Sequence, residues 1–148
     1  MIRLKLPAVI RWSAAGVLAL VVACGGDETQ PSEDHTPVSY TIFADGSPVS
    51  SPYSLELGQT VLVRIEFQNA AGESLNDVES SHFAGLTFDP ATLATAVRRA
   101  DHHFQFDVTG ESAGTGTVTV SYGHSADADE VTLPSEQVEV VDPGSGGL

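Results

Sequence analysis

An antiparallel β-sandwich of about seven strands is the fold class this sequence predicts. Three observations lead to it. Short runs of β-branched and aromatic residues alternate apolar with polar at period two. Turn residues separate those runs at near-regular spacing. No stretch carries a convincing helical period. The chain has one cysteine in 148 residues, so no internal disulfide can staple it. Its core must hold by packing, which a domain of roughly 105 residues can do.

The strands follow in order. Val38–Phe43 is rich in β-branched and aromatic residues, and Asp45-Gly46-Ser47-Pro48 closes it. Thr60–Phe67 places Val61, Val63, Ile65 and Phe67 on one face, with Leu62, Arg64 and Glu66 on the other. Asn69–Gly72 breaks that run, and a polar stretch, Glu73–Ser81, follows. Leu86–Phe88 is a short strand ended by Asp89-Pro90. Leu93–Val97 reads as a weak strand or a helical turn. Phe104, Phe106 and Val108 alternate with Gln105 and Asp107. Val118, Val120 and Tyr122 alternate with Thr117, Thr119 and Ser121. Val138 and Val140 mark the last strand. The expected core is Val61, Val63, Ile65, Phe67, Phe88, Phe104, Phe106, Val118, Val120 and Tyr122.

The N-terminus carries an address. Arg3, Lys5 and Arg11 precede an apolar run from Ala14 to Ala23. About ten residues are too few to span a bilayer, which takes ~20. A basic start, a short apolar stretch and a small residue before the cut site make an export signal. The run ends Val21-Val22-Ala23-Cys24, which resembles the lipobox of bacterial lipoproteins. The resemblance implies cleavage before Cys24 and acylation of its thiol and of the new N-terminus, because several acyl chains hold where one is marginal. It implies a lipid-anchored protein of the bacterial cell envelope, and it explains an unpaired cysteine in an exported chain. Gly25-Gly26, with no Asp beside the cysteine, resembles the pattern that sorts lipoproteins to the outer membrane. The expected organisation is a signal peptide over 1–23, a flexible acidic tether over 24–37, the sandwich over 38–141 and a Gly/Ser-rich tail over 142–148.

Removing the signal takes away three of the six basic side chains. Arg64, Arg98 and Arg99 then face 20 acidic residues, a net charge of −17 with His neutral. Such a surface repels nucleic acid and anionic lipid headgroups. It concentrates cations, and it also favours solubility.

Three segments carry a second resemblance: Leu55-Glu-Leu-Gly-Gln-Thr-Val-Leu-Val63, Asp89-Pro-Ala-Thr-Leu93-Ala-Thr95 and Gly110-Glu-Ser-Ala-Gly114-Thr-Gly116-Thr-Val118-Thr-Val120. They resemble bacterial immunoglobulin-like domains of the invasin and group-2 type over residues 38–141. The resemblance implies an immunoglobulin-like sandwich and leaves function open, since such sandwiches do many jobs. One departure stands out. The tryptophan typical of the third strand is missing, and the only one, Trp12, lies in the signal. Phe83 or Phe88 is expected in its place.

Chemistry-bearing residues are few. There is no Gly-x-Ser-x-Gly elbow and no glycine-rich phosphate loop before a helix. The carboxylates sit in loops without a paired, buried arrangement. An enzyme is therefore not expected. Asp127-Ala128-Asp129-Glu130 could hold Ca²⁺, although it lacks the length and glycine of an EF-hand.

The chain has five histidines. His35 falls in the tether and is set aside. Strand directions in an immunoglobulin-like sandwich bring the segment holding His82, the strand start at His102 and His103, and the loop at His124 to one end. Residue parity turns His82, His102 and His124 inward over the core. Neutral imidazoles are the commonest metal ligands, and three or four of them, or three plus a carboxylate, suit Zn²⁺ or Cu²⁺. The candidate site is His82, His102, His103 and His124, with Asp127 or Asp129 completing it. Asp77, Glu79, Asp101, Asp127, Asp129 and Glu130 are nearby carboxylates able to be direct ligands or to hold an imidazole in one tautomer. Solvated loop histidines, a pH sensor and a protein contact are the competing readings. The function expected is metal capture or delivery at the envelope, with a transporter or other envelope protein as partner. The alternative is a structural or adhesive module that binds a protein or glycan.

Overall fold

A computed structural model describes residues 35–144. The signal, Cys24, most of the tether and the last four residues of the tail lie outside the described residues. The chain forms β1 (Ser39–Ala44), β2 (Ser47–Val49), β3 (Tyr53–Glu56), β4 (Thr60–Gln68), β5 (Phe83–Asp89), β6 (Ala94–Arg99), β7 (His102–Gly110), β8 (Gly114–Gly123), β9 (Val131–Thr132) and β10 (Glu136–Val141). A 3₁₀ turn, Asn76–Val78, lies on the path between β4 and β5.

Two sheets form, ordered β2-β1-β4-β7-β6 and β3-β10-β8-β5, with β9 on the side of β8. Strands β1, β4, β7 and β6 against β5, β8 and β10 reproduce the four-plus-three strand order of an immunoglobulin constant-type sandwich. The expected seven strands are all present. Three short ones add to them. β2 exists because Asp45 and Gly46 both take positive φ (48° and 84°), the pair of left-handed residues that a two-residue hairpin turn needs. Ser47-Pro48 is thus strand rather than turn. β3 crosses from the first sheet's side to pair with β10 in parallel, so the sandwich is not antiparallel throughout.

Alternation sets the inner faces. β4 buries Val63, Ile65 and Phe67, β7 buries Phe104, Phe106 and Val108, and β8 buries Val118, Val120 and Tyr122. Of the ten expected core residues, only Val61 and Phe88 remain partly exposed, packed at its margin. Phe88 borders a small apolar cavity between the sheets, with Ile42, Leu55, Val63, Leu86 and Val118 around it. The aromatic centre is a triad. Phe67 meets both Phe104 and Tyr122 edge-on at 5.0 Å, a favoured aromatic geometry. On β5, Phe88 packs against the core and Phe83 stacks on His103. Three aromatics from β4, β7 and β8 meet in the middle.

A histidine-lined end of the sandwich

Register puts several strand ends together. Ser39 of β1 pairs with Gln68 of β4, Arg99 of β6 with His102 of β7, and Phe83 of β5 with Gly123 of β8. All five histidines lie at this end. The 3₁₀ turn delivers His82 to it: the His82 backbone N–H and the Ser81 N–H both donate to Val78 O. Val78 and Leu75 anchor the turn in the core.

His82 is the buried member, 3% exposed. Its ring stacks on Tyr122 at 5.0 Å and 18°. Its Nδ1 lies 3.2 Å from Val78 O and 2.9 Å from Ser81 Oγ. A carbonyl only accepts, so Nδ1 carries the proton and Nε2 keeps its lone pair. That Nε2 is buried with no hydrogen-bond partner. Burial, more than any other cause, lowers the pKa of His82, and the neighbouring His124 and His35 lower it further.

His124 follows β8 and sits over His82, with ring centres 4.0 Å apart. Its Nδ1–H donates to Glu130, 2.7 Å from Oε2, and its backbone N–H donates to Oε1 at 3.0 Å. These two donors, the backbone one first, hold the Glu130 carboxyl below its usual pKa. The loop carrying His124 is pinned by Arg98. The Arg98 guanidinium donates to Ala84 O of β5 and to Ala126 O of the loop, and covers the Phe83 ring.

His35 is the residue the sequence reading set aside. Its ring meets His82 edge-on at 5.9 Å. Val38 N–H donates to Gln68 O, and this backbone bond lays the entering chain against the end of β4. The other expected ligands stand apart from this group. His103 stacks on Phe83 at 4.0 Å, and its Nδ1–H donates to His82 O. His102 is exposed, with Nδ1 3.9 Å from Glu79 Oε1. Asp127 acts on Arg98, partly offsetting the pKa-lowering effect of that side chain's burial. The carboxylate on an imidazole is Glu130 rather than Asp127 or Asp129. Parity correctly turned His82 inward, but it said nothing about which acidic side chain of a three-acid loop would reach back. Among the described residues, no three His, Cys, Asp or Glu side chains already stand as a metal ligand set.

Tyr122 completes the end. Its hydroxyl is buried and lacks a hydrogen-bond partner. Burial first, then the Glu130 and Asp77 charges, push its pKa up to about 12. Asn76 Oδ1 is the third orphaned polar atom here.

No protein-family model and no curated protein matches the sequence. Among solved structures, the chain is similar to domains 4 and 5 of the S-layer protein SbsC, at 21% identity and a TM-score of 0.45, over 72% of this chain and 47% of that one. It is also similar to a structure of SbsC domains 1–6, at 21% identity and a TM-score of 0.46, over 76% of this chain and 14% of that one. The chain thus spans less than half the length of each of these structures.

Proposed function

We propose that the protein is a lipid-anchored envelope module whose histidine end binds a transition metal, Zn²⁺ or Cu²⁺, for capture or for delivery to an envelope partner. One observation carries the reading. His82 and His124 are neighbours, and each has Nδ1 committed, to a backbone carbonyl in one case and a carboxylate in the other. That leaves two Nε2 lone pairs, one of them buried and orphaned. Metal-binding imidazoles are commonly held this way, by a partner on the far nitrogen that fixes the tautomer. The distance also suits. Two imidazoles on one tetrahedral Zn²⁺, at Zn–N ~2.0–2.1 Å, have ring centres roughly 5 Å apart. The observed 4.0 Å needs only a small opening of the exposed His124 ring. The acidic surface supports the reading by raising the local cation concentration.

The test is metal titration into the purified full-length chain at pH 7.5, with elemental analysis of the protein as isolated. One equivalent bound more tightly than micromolar, and lost in His124→Ala, is the expected result. Weaker binding in the wild type, or equal binding in the variant, leaves only the structural or adhesive module. The anchor has its own check. Cys24→Ala should move the protein out of the membrane fraction, and unchanged fractionation would remove the lipoprotein reading.

A further inference from the structure

We infer that His35 is a third ligand of the same metal, so that metal binding fastens the chain entering the sandwich to its histidine end. This inference rests on the metal reading above and adds a regulatory consequence to it. The His35 and His82 ring centres are 5.9 Å apart, and those of His82 and His124 are 4.0 Å apart. These values lie on either side of the roughly 5 Å that a shared tetrahedral Zn²⁺ sets. His82 is the common neighbour of both, and it is the ring with the buried, unpartnered Nε2. The three imidazoles come from three separate places: the segment before β1, the loop before β5 and the loop after β8. A metal bound by all three cross-links those segments.

His102 and His103 are unsuited to the third position. The His82 ring meets the rings of Tyr122, His124 and His35, whereas the His103 ring lies on Phe83. His102 is exposed, and its ring meets none of these. His35 has a different place in the chain. It stands four residues before β1, on the path that leads back to Cys24. Without metal, the contacts of the entering segment include the edge-on meeting of the His35 and His82 rings, buried Pro37 and the Val38–Gln68 backbone bond. With metal, the cross-link adds a strong attachment three residues earlier. Metal occupancy then tightens the hold on the entering chain.

The experiment is a Zn²⁺ titration of the full chain, followed by the imidazole ¹⁵N signals and by affinity measurements on His35→Ala and His102→Ala. The His35, His82 and His124 signals should move together and saturate at one equivalent. His35→Ala should weaken binding at least ~10-fold, the lower bound for losing even an outer partner of a metal ligand. His102→Ala should bind as the wild type does. Wild-type binding that His35→Ala leaves within about twofold, with unmoved His35 signals, overturns the inference and leaves the His82–His124 site intact. Weakening by His102→Ala instead also overturns it. Absence of Zn²⁺ binding in the wild type defeats the metal reading itself. Melting temperatures of the wild type and His35→Ala without Zn²⁺ separate loss of a ligand from loss of folding.

Discussion

The two ends of the sandwich close with different amounts of polar capacity left over. Every strand end leaves backbone groups that need partners. At the end away from the histidines, backbone meets backbone. Gly58 N–H donates to Gly110 O, Leu57 N–H to Val141 O, and Glu111 and Ser112 N–H both to Leu93 O. The packing there is tight enough that Gly110 has no room for a Cβ, which would stand 2.8 Å from Glu56 O and 2.9 Å from a Val140 methyl. At the histidine end, side chains join backbone bonds such as Val38 N–H to Gln68 O in the closing, and they leave valence over. Asn76 Oδ1, His82 Nε2 and Tyr122 Oη are buried without partners. An unsatisfied buried polar group costs ~1–3 kcal/mol. One end is therefore arranged for stability, while the other retains polar capacity that a ligand can use.

Three changes break or sharpen this contrast. Gly110→Ala has the largest expected effect. Overpacking against backbone should cost ~1–3 kcal/mol, seen as a lower urea midpoint, and metal affinity should be unchanged because the histidine end is remote. A stability loss accompanied by lost metal binding would show that the two ends are coupled.

A smaller effect is expected from pH on the metal-free protein. The folded His82 pKa lies below the unfolded ~6.5. As pH falls, the unfolded chain binds that proton first, so stability declines from about pH 6.5 down to the lowered folded value. Above that window the group contributes nothing. His82→Gln should flatten this part of the profile. Melting temperatures at pH 7.5 and 5.5 measure it, and an equal drop in both proteins would assign the decline elsewhere.

Tyr122→Phe should have the smallest effect. It removes an orphaned hydroxyl and keeps the ring that packs on Phe67 and His82. Stability should stay level or rise slightly. A loss approaching the ~1 kcal/mol of a typical net hydrogen bond would mean that the hydroxyl has a partner in solution, and the contrast between the ends would shrink.

The strands and their inner faces were legible in the sequence because they are local. Val61–Phe67, Phe104–Val108 and Val118–Tyr122 alternate at period two, and a strand must turn alternate side chains to one face. Each residue's face follows from its neighbours in sequence. That parity, together with strand direction, was also enough to gather His82, His102, His103 and His124 at one end. The pairing of β3 with β10 was not legible, because Tyr53–Glu56 is too short to show a period and its partner lies more than 80 residues away. The same holds for the composition of the candidate site. Glu130 holds His124 while Asp127 acts on Arg98, which also binds the Ala126 carbonyl, and no local pattern in this loop separates the acids. His35 joins His82 because β1 pairs with the end of β4, which brings the segment before it beside the 3₁₀ turn. Alternation along the chain determined which residues face the core. Which of the polar residues meet at the end of that core was decided by contacts between segments distant in sequence, and only the tertiary structure holds those.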